Sequence, residues 1–187
     1  MGRLLKLVPA GLVALYPLIV LFGIQRFELH YLGFFLIALA LLRLVALRGE
    51  RNQQALNLAL SLVMILVVAY VLFSGNPDWL RFYPVLVNTT MLVVFGWSLV
   101  HGIPMIERMA RVTEPDLPER AVPYARKVTV MWCTFFLVNG LVALYTARWT
   151  SFEVWAWYNG AFAYALMAAL FAGEWLVRQR MRRRLDA

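Results

Sequence analysis

Charge is scarce in this sequence. Charged residues make up 15% of its 187 positions, and only ten are acidic against eighteen basic. A soluble domain carries about 25% charged and about 45–50% apolar residues. Here 63% of the residues are hydrophobic and the mean hydropathy is +0.70. A single globular core cannot bury that excess, because small domains keep much of their surface in water. Lipid is the solvent that fits. Cysteine is nearly absent as well: Cys133 stands alone, which excludes an intramolecular disulfide framework and any multi-cysteine metal site. The sequence contains no phosphate-binding loop, dinucleotide fingerprint or paired-histidine zinc motif. It therefore points to no cofactor, no metal and no catalytic constellation. The middle of every long apolar run is free of ionisable groups, so the relay that proton-coupled transporters use is missing. No internal repeat supports an inverted-repeat transporter.

What the sequence has is long apolar runs. A hydrocarbon core about 30 Å thick needs about 20 apolar helical residues. Six runs approach or meet that length: Leu7–Ile24, Tyr31–Leu47, Ala55–Phe73, Phe82–Val100, Val128–Ala147 and Val154–Gly173. Arg43 interrupts the second close enough to its end to snorkel. The first run contains Pro9 and Pro17 and lacks a small-x-small cleavage site, so it reads as a retained span and not a secretory signal. Helices satisfy their own backbone hydrogen bonds in lipid. The expected fold is all-α: a polytopic bundle of six transmembrane helices, with residues 1–187 forming one integral membrane domain.

The basic residues set the expected orientation. With six spans, one side receives the two termini and the two connections around residues 48–54 and 101–127. That side holds fifteen of the eighteen Lys and Arg residues, and the other holds only Arg26, Arg81 and Arg148. Positive-inside bias places both termini in the cytoplasm. A net charge of +8 would otherwise suggest nucleic acid. However, the basic tail, residues 178–187, follows a span directly, where such clusters fix topology and meet anionic head groups. The expected partners are membrane lipids, not nucleic acid. The lipid contacts are Arg108, Arg111, Arg178, Arg180, Arg182, Arg183 and Arg184.

The cytoplasmic connection 101–127 divides in two. Met105, Ile106, Met109 and Val112 recur at helical spacing among Glu107, Arg108 and Arg111, which describes an interfacial amphipathic helix over Pro104–Val112. Thr113–Glu119 is acidic and proline-rich, cannot be helical throughout, and reads as a linker or partner-contacting segment. On the opposite side, Ser74-Gly-Asn-Pro-Asp marks a tight hairpin. Trp79, Tyr83, Trp149, Trp155, Trp157 and Tyr158 gather there as an aromatic belt, or as a stacking surface for lipid or carbohydrate.

The polar residues inside the runs are uncharged. Asn88, Asn139 and Asn159 fall at similar depth, about 8–12 Å from the outer boundary. An asparagine facing lipid leaves its amide unpaired. The three are therefore expected to turn inward as one polar patch with Thr89 or Thr90, either as interhelical glue or as the lining of a head-group pocket. Ala161, Ala165, Ala169 and Gly173 repeat every four residues and form a helix-packing seam, with contact inside the bundle favoured over self-association. His30 and His101 lie on opposite sides and cannot share a site. Cys133 reads as a packing residue. Glu174 and Arg178 are spaced as a local ion pair.

Two segments carry a family resemblance. Pro104-Met-Ile-Glu-Arg-Met, followed by Trp132-Cys-Thr-Phe-Phe-Leu-Val-Asn-Gly-Leu-Val-Ala-Leu-Tyr, resembles the bacterial inner-membrane septation proteins, also called intracellular septation protein A. The Phe73-to-Trp79 turn and the basic Leu47–Arg51 turn fall in matching order. The chain also looks like a group of membrane proteins associated with aryl-polyene and fatty-acid-like biosynthesis clusters. The resemblance implies a bacterial inner-membrane protein of envelope upkeep, elongation or division, and it carries over no catalytic residue. The arginine-rich tail and the acidic Glu114–Glu119 segment depart from the pattern. The functional expectation is a non-enzymatic scaffold or accessory subunit working with envelope-biosynthesis or division membrane proteins. The alternative is a lipid-handling carrier or small membrane enzyme acting on lipid-linked or acyl intermediates.

Overall fold

A computed structural model describes residue 31 and residues 34–38, 40–41 and 54–185. The Leu7–Ile24 run and most of the Tyr31–Leu47 run lie outside the described residues. Every regular element described is helical, and none is a strand.

Helix α1 (Gln54–Ser74) covers the third apolar run. It stops where Gly75 adopts φ +67°, a left-handed conformation that costs glycine little and ends helices well. The Gly75 N–H closes the last turn on the Val71 carbonyl at 2.9 Å. The Asn76 side chain then accepts from the Asp78 N–H and starts a 3-10 turn, Pro77–Phe82. This is the tight connection expected from the Ser74–Asp78 cluster. Helix α2 (Tyr83–Val100) follows with Pro84 in its first turn, where a missing N–H costs nothing. Helix α3 (Met105–Thr113) is the short amphipathic element. After a turn and a 3-10 segment at Glu119–Ala121 comes α4 (Val122–Trp149), which begins six residues before its apolar run. Its 28 residues reach about 42 Å, longer than the hydrocarbon is thick. Ser151 caps helix α5 (Phe152–Trp157) by accepting from the Val154 N–H. This helix runs through a π-helical turn, Tyr158–Phe162, into α6 (Ala163–Leu185).

Three of these stretches are long and apolar enough to cross a membrane: Pro77–Val100, Val122–Trp149 and Phe152–Arg180. Leu58–Ser74 is a shorter apolar helix. The central pairing is α2 against α4. Two apolar clusters flank it. Near the Trp79 end, Met64, Val68, Val71, Leu80, Ala147 and Trp155 pack together. Near the Pro104 end, Phe95, Met105, Val128, Trp132 and Phe136 form the second cluster. Phe95 and Phe136 meet edge to face at 5.2 Å.

Arg81 closes the Trp79 end, a role that a count of topological charges does not reveal. One of its terminal nitrogens donates to the carbonyls of Thr146 and Thr150 at 2.7 and 2.6 Å. Those carbonyls lie in the last turn of α4 and at its C-cap, where the helix has no intrahelical donor left and its dipole favours a cation. The Arg81 carbonyl in turn accepts from the Trp155 indole at 2.9 Å, and the guanidinium lies 5.6 Å from the centre of the Phe152 ring. One residue thus joins the 3-10 turn, the end of α4 and the start of α5. Arg81→Met removes both charged hydrogen bonds. It should cost about 1.5–3 kcal/mol, read as a lowered thermal midpoint of the detergent-solubilised protein. An unchanged midpoint would show that the contact carries no stability.

Candidate functional site

The buried polar groups between the two apolar clusters form a chain across three helices. Asn88 on α2, Asn139 on α4 and Asn159 in the π turn are all buried. The Asn88 amide nitrogen donates to the Pro84 carbonyl at 2.8 Å, and its oxygen accepts from the Asn139 amide at 3.0 Å. The Asn139 oxygen accepts from the Tyr158 hydroxyl at 2.9 Å. Asn159 makes a separate contact two turns further along α4. Its amide donates to the Thr146 hydroxyl at 3.2 Å and to the Trp155 carbonyl at 2.9 Å. Thr89 and Thr90 stay outside this network: their hydroxyls return to the Val85 and Leu86 carbonyls of their own helix, at exposed positions.

Backbone geometry brings the asparagines within reach. Gly140 follows Asn139, and a Cβ built on it would sit 3.2 Å from the Asn88 Cβ. The missing side chain lets α2 and α4 approach closely enough for two short amides to bond directly, as small residues do between membrane helices. The π turn supplies the third member. Neighbours on an α-helix point about 100° apart, yet Tyr158 and Asn159 both reach α4. The wider π turn begins at these two residues, and such turns re-aim side chains locally. Tyr158 and Thr146 are members that the sequence reading assigns to an aromatic belt or passes over. The available signal was the adjacency of Tyr158 to Asn159.

Chemically, each amide of this layer already has a protein partner. Among the described residues, no group of three His, Cys, Asp or Glu side chains is placed to hold a metal. His101 stacks on Trp97 at 4.0 Å in an exposed position, and Cys133 is half-buried. The arrangement joins α2, α4 and the π turn through direct side-chain hydrogen bonds.

A second constellation lies at the Pro104 end, where α3 folds back on the bundle. No side chain of its own caps α3. Instead its first two N–H groups are taken by the neighbouring helices. The Met105 N–H donates to the Ser98 hydroxyl of α2 at 2.9 Å, and the Ile106 N–H to the Thr129 hydroxyl of α4 at 3.3 Å. Those donors would otherwise be unsatisfied. Met105 is buried, while Met109 and Val112 are exposed. Glu107 is buried and bound by Arg111, with contacts of 2.8 and 2.9 Å. At the same end Glu174 accepts from Arg178 at 2.7 and 2.9 Å and from the Tyr124 hydroxyl at 3.3 Å. This ties α6 to the start of α4. Arg108 and Arg180 are exposed, and the side chains of Arg182, Arg183 and Arg184 lie outside the described residues.

The small-residue stripe falls on a different face from the packed one. Ala163 is buried, and Met167 and Leu170 pack against the Pro104-end cluster, with Glu174 continuing that line. Ala161, Ala165, Ala169 and Gly173 are all exposed, and helical spacing sets them roughly opposite the packed line. The large side chains Trp132 and Phe171, with ring centres 4.5 Å apart, bridge α4 and α6 where small residues would have allowed a closer approach.

The fold and these sites define a polytopic helical membrane protein whose buried asparagines are hydrogen-bonded to other side chains and to backbone carbonyls. Comparison with known proteins agrees. The chain is similar to the inner membrane-spanning protein YciB of Serratia proteamaculans (strain 568), with 26% identity over 167 residues, covering 87% of this chain and 91% of that protein. It is similar to the YciB protein of Shigella dysenteriae serotype 1 (strain Sd197), with 25% identity over 170 residues and the same two coverages. It matches the YciB protein of Marinomonas sp. (strain MWYL1) at 33% identity over 98 residues, 52% of each chain. No family model and no solved structure matches. These homologues bear out the resemblance to the intracellular septation proteins, and the chain is a transmembrane protein of the inner membrane.

Two substitutions test the polar layer. Asn139→Leu should cost about 0.6–2 kcal/mol of bundle stability, because it leaves the Asn88 oxygen and the Tyr158 hydroxyl unpaired. The folded fraction should keep its function; abolished function in a stable, abundant variant would assign a ligand to this layer instead. Gly140→Leu forces a branched side chain against Asn88. It should cost at least about 1–3 kcal/mol, the usual range for overpacking. Wild-type stability in that variant would show that α2 and α4 are not held this close.

Proposed function

We propose that this chain is a six-span inner-membrane bundle with both termini in the cytoplasm. In this reading it serves as a non-catalytic scaffold or accessory subunit in envelope upkeep or division. The observation that carries the reading is the pairing of Asn88, Asn139 and Tyr158 with one another, and of Asn159 with Thr146 and the Trp155 carbonyl. A pocket that binds or transforms a substrate keeps convergent polar groups available to it. Here they hold helices in register. The similarity to inner membrane-spanning proteins supports the location. The distribution of fifteen basic residues against three supports the orientation and the span count. The exposed Trp79, Trp149 and Trp157 favour, as a second reading, a lipid-handling role at the outer boundary.

Topology reporters test the frame. Cytoplasmic reporters fused after Arg51, after Glu119 and at Ala187 should be active, and fusions after Asn76 or Arg148 should behave as external. A reversal at any one site breaks the six-span count, since each span flips everything after it. Mild crosslinking followed by affinity capture tests the role. Reproducible recovery of envelope-synthesis or division proteins supports the scaffold. Recovery of abundant, unrelated membrane proteins alone argues against it, and a lipid intermediate accumulating in a deletion strain would move the assignment to lipid handling.

A further inference from the structure

The cations at the Pro104 end are not equivalent. Arg111 and Arg178 each donate through Nε and one terminal nitrogen to a carboxylate oxygen, of Glu107 and Glu174 respectively, and both of those carboxylate side chains are shielded from solvent. Their charge is largely neutralised in place. Arg108, Arg126, Lys127 and Arg180 are exposed and have no acidic partner among the described residues, and the first three flank the α3–α4 contact in sequence.

These three cations lie close in sequence to one junction. The Ile106 N–H is bonded to the Thr129 hydroxyl. Arg108 lies two residues beyond Ile106, and Arg126 and Lys127 lie three and two residues before Thr129. Measured along the helix axes, all three lie within about one turn of the contact that fixes α3 to α4, at exposed positions. Beside them the surface is apolar: Val100, Ile103, Met109 and Val112 are 76%, 45%, 47% and 63% exposed. Water would suit the cations and leave these side chains unburied. Hydrocarbon would suit the side chains and strand the cations. The boundary between acyl chains and phosphates accommodates both.

We propose that Arg108, Arg126 and Lys127 form a binding surface for the head group of an anionic phospholipid, seated where α3 docks on α4. Met109 and Val112 lie against the acyl chains, and Arg111 and Arg178 take no part. The proposal narrows the set of seven arginines read from sequence and adds two cations that reading omitted. It rests on the membrane placement of the proposed function, though not on the scaffold role. An acidic protein segment is the competing occupant. The exposed apolar residues, contiguous in sequence with the α3 cations and on a helix next to a span, favour lipid.

The test uses the purified full-length protein in neutral detergent, titrated with phosphatidylglycerol or phosphatidylcholine and read by native mass spectrometry. Wild type should retain phosphatidylglycerol in preference to phosphatidylcholine. The triple variant Arg108→Gln, Arg126→Gln, Lys127→Gln should lose at least tenfold in phosphatidylglycerol affinity, since each cation near an anionic surface contributes about fivefold. Its thermal midpoint should stay near wild type. The paired control Glu107→Gln, Arg111→Gln removes a neutralised ion pair without stranding a charge and should keep the preference. A wild type indifferent to head-group charge overturns the proposal, as does a triple variant that binds phosphatidylglycerol normally. Loss of preference in the paired control overturns the sorting of the cations. A triple variant that keeps its lipid preference but no longer captures an acidic partner protein assigns the surface to protein instead. Topology reporters read the membrane orientation separately, so a failed orientation and a failed lipid site give different results.

Discussion

The close approach of α2 and α4 at Gly140 is the constraint on which the rest of the bundle depends. A polar side chain inside a membrane helix has no water to turn to, so it must find a partner on another helix or return to its own backbone. Asn88 and Asn139 take the first course, and they can do so because Gly140 places no side chain between them. The amide pair then fixes both the rotation and the axial register of the two helices. The aromatic packing of Phe95, Trp132 and Phe136 toward one end, and of Leu80, Ala147 and Trp155 toward the other, is arranged on either side of that fixed point.

The ends of the bundle are closed by a related economy of hydrogen bonds. At the Trp79 end, Arg81 supplies donors to carbonyls at the end of α4. At the Pro104 end, Ser98 and Thr129 supply acceptors to the first N–H groups of α3. In both cases a side chain from one element satisfies the backbone of another. These two termini, the end of α4 and the start of α3, therefore draw their hydrogen bonds from neighbouring elements. This couples the amphipathic helix to the bundle and makes its buried Glu107 tolerable, because Arg111 is held one turn away.

The π turn at Tyr158–Phe162 divides the last long helix into two parts with different surroundings. Up to Asn159 the helix packs against α4 and contributes Trp155, Ala156 and Asn159 to the interior. Beyond it, α6 touches the bundle through long side chains such as Met167 and Phe171 and through the Tyr124–Glu174 contact. The small-residue face is turned the other way. Four-residue spacing of Ala and Gly identifies a face suited to close packing, but it carries no information about which neighbour lies opposite.

Much of the architecture is legible in the sequence. The helical class, the stretches around α1, α2, α4 and α6, the Ser74–Asp78 turn and the short helix after Pro104 follow from apolar run length, turn chemistry and periodicity. These are local properties that hydrocarbon enforces on each segment separately. The inward-turned asparagines were also readable, since a buried amide is costly wherever it falls. Partner choice was not. Whether Asn139 meets Asn88 or Asn159, whether Thr89 joins them, whether Arg81 faces a head group or the end of a helix, and which face of α6 packs inward all depend on rotation and register between helices. Those are set by contacts between residues tens of positions apart, such as Gly140 against Asn88 and Tyr158 against Asn139. The sequence by itself determined which segments are helices in lipid, because each must satisfy its own backbone. Only the tertiary structure decided which polar groups are paired and which cations remain free, because both depend on how helices turn toward one another.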